Sequence, residues 1–324
     1  MCCLMVIMMI AIGGITRLSG SGLSMVDWKP VTGIIPPITE AAWAQEYAKY
    51  QTFPEYSQYH YNLSEFKKIF YVEFIHRILA RLTILVYVLP LLFFISIGII
   101  KFRSIFSYIF ILILFACQGL MGWYMVKSGL VNIPSVSHFR LSTHLIIAVI
   151  IYSLLFWQIM VNSSQVLIMP RSCKIRYTKL LCTIILALVY IQIFIGGMVA
   201  GLNAGLVYDT FPLMGDSWIP SELILTHLNV NDLYNPVFVH FIHRLFALKI
   251  LICAIALSAM LLKSGSVQLR NCCYLILSAI VLQVITGAFT VLYHVNFILA
   301  ICHQINAIFV LSSLLYLHYL LKHS

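Results

Sequence analysis

The chain has 324 residues, is 62% hydrophobic and only 9% charged, and its apolar runs are longer than a soluble core needs, which makes it a polytopic membrane protein. The formal net charge of +10 does not mark a nucleic-acid binder, because the basic residues fall mostly in short loops between apolar runs, the pattern of membrane topology. Nine cysteines do not make a disulfide scaffold: all but Cys173 lie in or beside apolar runs, and none falls in the two long polar loops.

In chain order, the first apolar run, about Cys2 to Ile15, is a short helix without a basic leader or a small-residue cleavage site, and so a retained helix rather than a signal peptide. It exits through Ser19-Gly20-Ser21-Gly22-Leu23-Ser24 and Asp27-Trp28-Lys29-Pro30 into a polar, aromatic loop that lasts to about Lys68. The loop aromatics Trp28, Trp43, Tyr47, Tyr50, Phe53, Tyr56, Tyr59 and Tyr61 are expected to lie at the membrane surface as an interfacial belt or lid. Helices follow at about 70–100, 105–126, 139–161 and 180–200, then a second long loop to about Pro236, then helices at about 237–262, 272–293 and 297–321. This is an all-α membrane protein with eight transmembrane helices.

An internal duplication organises them. Ile12-Gly13-Gly14 with Gly22-Leu23 recurs at one common offset as Ile195-Gly196-Gly197 with Gly205-Leu206. Two pseudo-symmetric four-helix bundles are therefore expected, residues 1–165 and residues 166–324. A Gln-x-x-x-Gly spacing appears at Gln118/Gly122, Gln192/Gly196 and Gln283/Gly287, and small residues at helical spacing let helices approach closely in lipid. Lys101, Arg103, Arg171, Lys174, Arg176, Lys179, Lys263, Arg270 and Lys322 occupy one set of loops and the C-terminus, whereas all ten Asp and Glu lie on or near the other side. The basic side should face the cytoplasm, with both termini inside and the two long loops outside.

Two stretches carry the chemistry: Glu73-Phe74-Ile75-His76-Arg77 and His240-Phe241-Ile242-His243-Arg244. Each opens an apolar run and has an alanine one turn on, Ala80 and Ala247. Each half then repeats the device, Thr143-His144 with Ala148 and Cys302-His303 with Ala307. A single histidine of this kind is as well explained by a hydrogen bond between helices. Four in repeat-related positions, each with room beside the ring, suit two haems held by axial imidazoles inside helix bundles. The pairs are His76 with His144 and His243 with His303, the other histidines lacking such correspondence. Glu73 lies one turn before His76 and shares its face; it is either an acid paired with Arg77 near a helix start or a carboxylate that handles protons beside a substrate. Its counterpart in the second half is His240. Arg77 and Arg244 either snorkel to the interface or bind haem propionates through charge-assisted bonds.

These residues resemble the haem A synthase family. The carrying motifs are Gly13-Gly14-x-Thr16-Arg17-Leu18 through Gly22-Leu23-Ser24, Trp28-Lys29-Pro30-Val31-Thr32-Gly33, Phe66-Lys67-x-Ile69 ahead of Glu73-x-x-His76-Arg77, Phe241-Ile242-His243-Arg244, and His303-Gln304. The resemblance implies oxidation of the C8 methyl group of haem O to a formyl group by successive hydroxylations, giving haem A for cytochrome oxidase. It implies substrate haem in the N-terminal half on His76 and His144, a haem b cofactor in the C-terminal half on His243 and His303, and Glu73 as the acid the chemistry needs. It also implies an inner membrane, bacterial or mitochondrial, with haem O synthase and an electron donor as partners. Some members carry a cysteine pair in the first outer loop; this chain has no cysteine between Ser24 and Tyr71. The competing class is a non-enzymatic dihaem cytochrome b, which predicts two equivalent sites. An inverted-repeat transporter is disfavoured, because four helices per half implies parallel repeats.

Overall fold

A computed structural model describes residues 1–29, 32–131, 134–163, 175–224 and 229–322. Pro30, Val31, Arg171, Cys173, Lys174 and the side chain of Arg103 lie outside the described residues. In chain order the helices are α1 (Cys2–Leu18), α2 (Glu40–Tyr50), α3 (Pro54–Tyr59), α4 (Leu63–Ser96), α5 (Phe102–Gly129), α6 (His138–Asn162), α7 (Ile175–Gly201), α8 (Ser221–Ile224), α9 (Pro236–Leu262), α10 (Val267–Leu292) and α11 (Phe297–Lys322). Among the described residues there is no strand, only an isolated bridge between Met214 and Ser217.

Seven of these helices, α4 to α7 and α9 to α11, are long and apolar enough to cross a membrane, so the protein is multi-pass. The eighth expected span, α1, is apolar but has only 17 residues. The long helices are apolar almost all round because a chain in lipid must satisfy its backbone internally and can leave leucine and phenylalanine facing outward. Leu89, Phe93, Leu248 and Ile252 are all more than half exposed.

The N-terminal boundary of α4 falls about two turns earlier than expected from hydropathy. Asn62 Oδ1 accepts from the backbone N–H of Ser64 and Glu65, while Glu65 Oε2 accepts from Asn62 N at 2.9 Å, a capping box that starts the helix in the polar segment. The added turns carry Phe66, Ile69 and Phe70, which form one buried cluster with Trp43 and Tyr50. Met25, Tyr47, Tyr56, Tyr61 and Phe74 pack against it. Much of the expected surface belt is therefore the core of a cap at the N-terminal end of α4. The physical reason is helix formation within the loop: in α2, Trp43, Tyr47 and Tyr50 fall on one face. Trp28 remains half exposed and rests against Trp123, ring centroids 5.4 Å apart.

Two compact units divide the chain, Met1–Ile151 and Tyr152–Ser324, with the division inside α6. In the first, α4 packs against α1, α5 and α2. In the second, α7 packs on α9, α9 on α10, α10 on α11, and α11 back on α7.

Candidate functional site

The four repeat-related histidines sit in four versions of one seat. A Cβ on Gly13 of α1 would come within 3.3 Å of His76 Cε1, one on Gly122 of α5 within 3.0 Å of His144 Cε1, one on Gly196 of α7 within 3.2 Å of His243 Cε1, and one on Gly287 of α10 within 2.8 Å of His303 Cε1. Each imidazole edge therefore lies close against a glycine backbone, closest at Gly287. In three seats the residue one turn before the glycine is glutamine, and its amide faces the ring. Gln118 Nε2 is 3.4 Å from His144 Nε2, Gln192 Nε2 is 3.4 Å from His243 Nε2, and Gln283 Nε2 is 3.3 Å from His303 Nε2. The fourth seat, that of His76, has Met9 in the corresponding place.

The seats fit a haem. His303 Nδ1 meets the Gln283 carbonyl at 3.1 Å, a contact that would orient the ring with Nε2 free for a metal, whereas the buried Nδ1 atoms of His76, His144 and His243 have no hydrogen-bond partner. The ring centroids of His243 and His303 are 6.5 Å apart, close to the ~6 Å that two opposed metal–imidazole bonds of ~2 Å require. In the first unit His76 and His144 are near enough to interact electrostatically. Ala80, Ala148, Ala247 and Ala307 are half-buried and small. Among the described residues no group of three or more His, Cys, Asp or Glu converges, so paired imidazoles suit a metal that brings its own in-plane donors, as a porphyrin iron does.

Glu73 stands beside the first pair and is 4% exposed. Its Oε2 accepts from Ser24 Oγ at 2.7 Å and from Met25 N at 2.9 Å. Its Oε1 accepts from Arg77 Nη2 at 2.6 Å and Nε at 3.1 Å. Arg77 also donates to the carbonyls of Asp27 and Met25, so both readings of this pair meet in one arrangement: an ion pair that also ties the loop after α1 to α4. In the second unit His240 replaces the acid. Arg244 Nε donates to His240 Nε2 at 3.1 Å, and its two other nitrogens donate to the carbonyls of Leu213 and Thr210.

The family model COX15-CtaA, described as cytochrome oxidase assembly protein, matches residues 1–315. The chain belongs to this family. Curated relatives named Heme A synthase include that of Rickettsia bellii (strain RML369-C), 50% identical over all of this chain and 97% of the relative. Those of Rickettsia felis and Rickettsia akari are 48% and 47% identical over 99% of this chain and 96% of theirs.

In this COX15-CtaA chain the sequence reading missed the seats and the ties. The recurring Gln-x-x-x-Gly spacing was visible as a helix-packing signal, but that it cradles an imidazole appears only when α5, α7 and α10 are docked. Ser24 stood out only within the Gly22-Leu23-Ser24 motif, and the Met25 amide carried no signal of its own. A shallow surface groove lined by Thr52, Phe53, Pro54, Ser57, Gln58, Leu130, Val131 and Pro134 contains none of the histidines.

Proposed function

We propose that the chain is a haem A synthase that oxidises the C8 methyl group of haem O to a formyl group through two hydroxylations and loss of water from the gem-diol. In this reading α1 is the eighth span and the helices form two four-helix bundles, residues 1–165 and 166–324. His76 and His144 hold substrate haem O; His243 and His303 hold a haem b cofactor. When bound, haem supplies the redox chemistry and the protein supplies orientation and electrostatics. Glu73 takes up protons released near the substrate methyl group, its carboxylate aimed by Ser24, the Met25 amide and Arg77. Arg77 and Arg244 hold the outer loops over the sites and offer their remaining N–H groups to haem carboxylates. The setting is a bacterial inner membrane with both termini cytoplasmic. Haem O synthase supplies the substrate and a separate donor–acceptor system handles electrons, and no nucleic acid is involved.

The observation that carries this reading is the inequality of two otherwise matched stations: a buried carboxylate beside one histidine pair and a buried imidazole beside the other. A dihaem electron carrier has no use for that difference. Co-expression with a haem O synthase followed by pigment extraction tests it. The wild type should yield haem A together with haem b. Glu73→Gln should retain haem b and accumulate haem O, and an unchanged haem A yield in that variant would remove Glu73 from the chemistry.

A further inference from the structure

Beyond the membrane-spanning segments one buried carboxyl has no structural explanation. Glu55 on α3 is 4% exposed, and its Oε2 has no hydrogen-bond partner. The buried hydroxyl of Tyr50 on α2 also lacks one, although the two groups are close enough to act on each other electrostatically. The surroundings are aromatic: the Tyr50 ring lies 4.8 Å from Phe66 and 6.0 Å from Tyr56. None of the ion pairs among the described residues includes Glu55. A buried carboxyl without an ion pair in such a box is costly.

Its neighbours point to a task. The groups that act on it electrostatically are Tyr50 from α2, Tyr61 just before α4, and Glu73 from α4, and Met25, whose amide binds Glu73, packs against the same aromatic cluster as Tyr50. We propose that Glu55, with the Tyr50 hydroxyl, is the proton-exchange partner of Glu73, linking the substrate station to the outer face. A proton leaving Glu73 converts the Glu55 carboxylate to the acid, and its release to outer solvent restores the carboxylate. Burial, and secondly the charge of Glu73, push the Glu55 carboxyl up to about 7 against the opposing influence of Tyr50, so both protonation states are populated near neutral pH. The inference rests on the reading of Glu73 given above.

The test uses membranes containing the full-length protein supplied with haem O, across about two pH units on either side of neutral. It compares wild type, Glu55→Gln, Glu55→Asp, Tyr50→Phe and Glu73→Gln. The infrared carbonyl band of a protonated carboxylic acid in the purified protein is read alongside haem A formation. A band that titrates near neutral pH, present in wild type and Glu73→Gln and absent in Glu55→Gln, is expected. Glu55→Gln should keep its haem content, lose the pH step in haem A formation and slow it at least about tenfold, short of the ~10²-fold lower range for direct acid–base groups. Glu55→Asp should restore the step and Tyr50→Phe should displace it. A Glu55→Gln protein with the wild-type rate and pH profile, or a wild type without the titrating band, overturns the proposal. Full activity in Glu73→Gln would instead overturn the role of Glu73, and the infrared band would still report on Glu55 separately.

Discussion

Arg77 and Arg244 hold corresponding points of the two long loops, the carbonyl of Asp27 in one unit and that of Thr210 in the other. What each meets one turn back on its own helix differs. Arg77 meets the carboxylate of Glu73, itself held by Ser24 and the Met25 amide, whereas Arg244 meets the imidazole of His240. Both units keep the mechanical part, a guanidinium that ties loop to helix, but differ at the neighbouring position. A structural tie works with any acceptor on the helix; proton handling beside a substrate does not. In the proposed function that difference separates a station that does chemistry from one that holds a cofactor.

The comparison breaks most sharply at the histidines. His303→Ala or His243→Ala should abolish haem binding in the second unit and leave that of the first, and His76→Ala or His144→Ala the reverse, read from the spectrum and extracted pigment of the purified protein. Loss of both haems from every variant would mean that the units do not bind independently. Next comes Glu73→Gln with its mirror, His240→Gln. The first should lower haem A formation by about 10² or more, the second only a few-fold, with haem content measured in both.

Stability separates the seats more finely. A Cβ at Gly287 would meet His303 Cε1 at 2.8 Å, but one at Gly13 would meet His76 Cε1 at 3.3 Å. Gly287→Ala should therefore show the larger part of the ~1–3 kcal/mol typical of overpacking, as a lower midpoint for thermal haem loss, and Gly13→Ala the smaller. Equal midpoints would argue that the seats yield alike.

The outer cap should respond to pH through Glu55. Its folded-state value is about 7, above the ~4.3 of a free glutamate, so the folded chain binds this proton more tightly than the unfolded one. Its contribution is fully present below the unfolded value and is lost as pH rises through about 7. Thermal melts of wild type should fall over that window relative to Glu55→Gln, which should be flatter. The smallest effect belongs to the surface pairs of Lys49 with Asp27 and Glu46. Lys49→Ala should cost less than about 1 kcal/mol, and added salt should erase the difference.

Much of this architecture was legible along the chain, because lipid makes the pattern simple. A helix that must bury its backbone in hydrocarbon declares itself as an apolar run, and seven such runs became long helices. The histidines were legible because a duplication supplied its own comparison. The beginning of α4 was also written in the sequence, as Asn62-x-x-Glu65, but hydropathy alone placed it two turns late, since a capped polar segment is helical without being apolar. The outer aromatics misled for a related reason: Trp and Tyr suit a membrane surface and a packed cap equally well, and only the docking of α2 and α3 on α4 chose between them.

The sequence by itself determined that this is a helical, multi-pass membrane protein, and it singled out four histidines by their repeated surroundings, because those properties follow from composition and from spacing along single helices. The tertiary structure decided which backbone each imidazole lies against, that Ser24 and the Met25 amide hold Glu73, and that Glu55 is buried near Tyr50 outside every ion pair among the described residues. Those facts join residues from different helices and loops. They depend on how each helix is rotated against its neighbours, and no periodicity within one helix records that rotation.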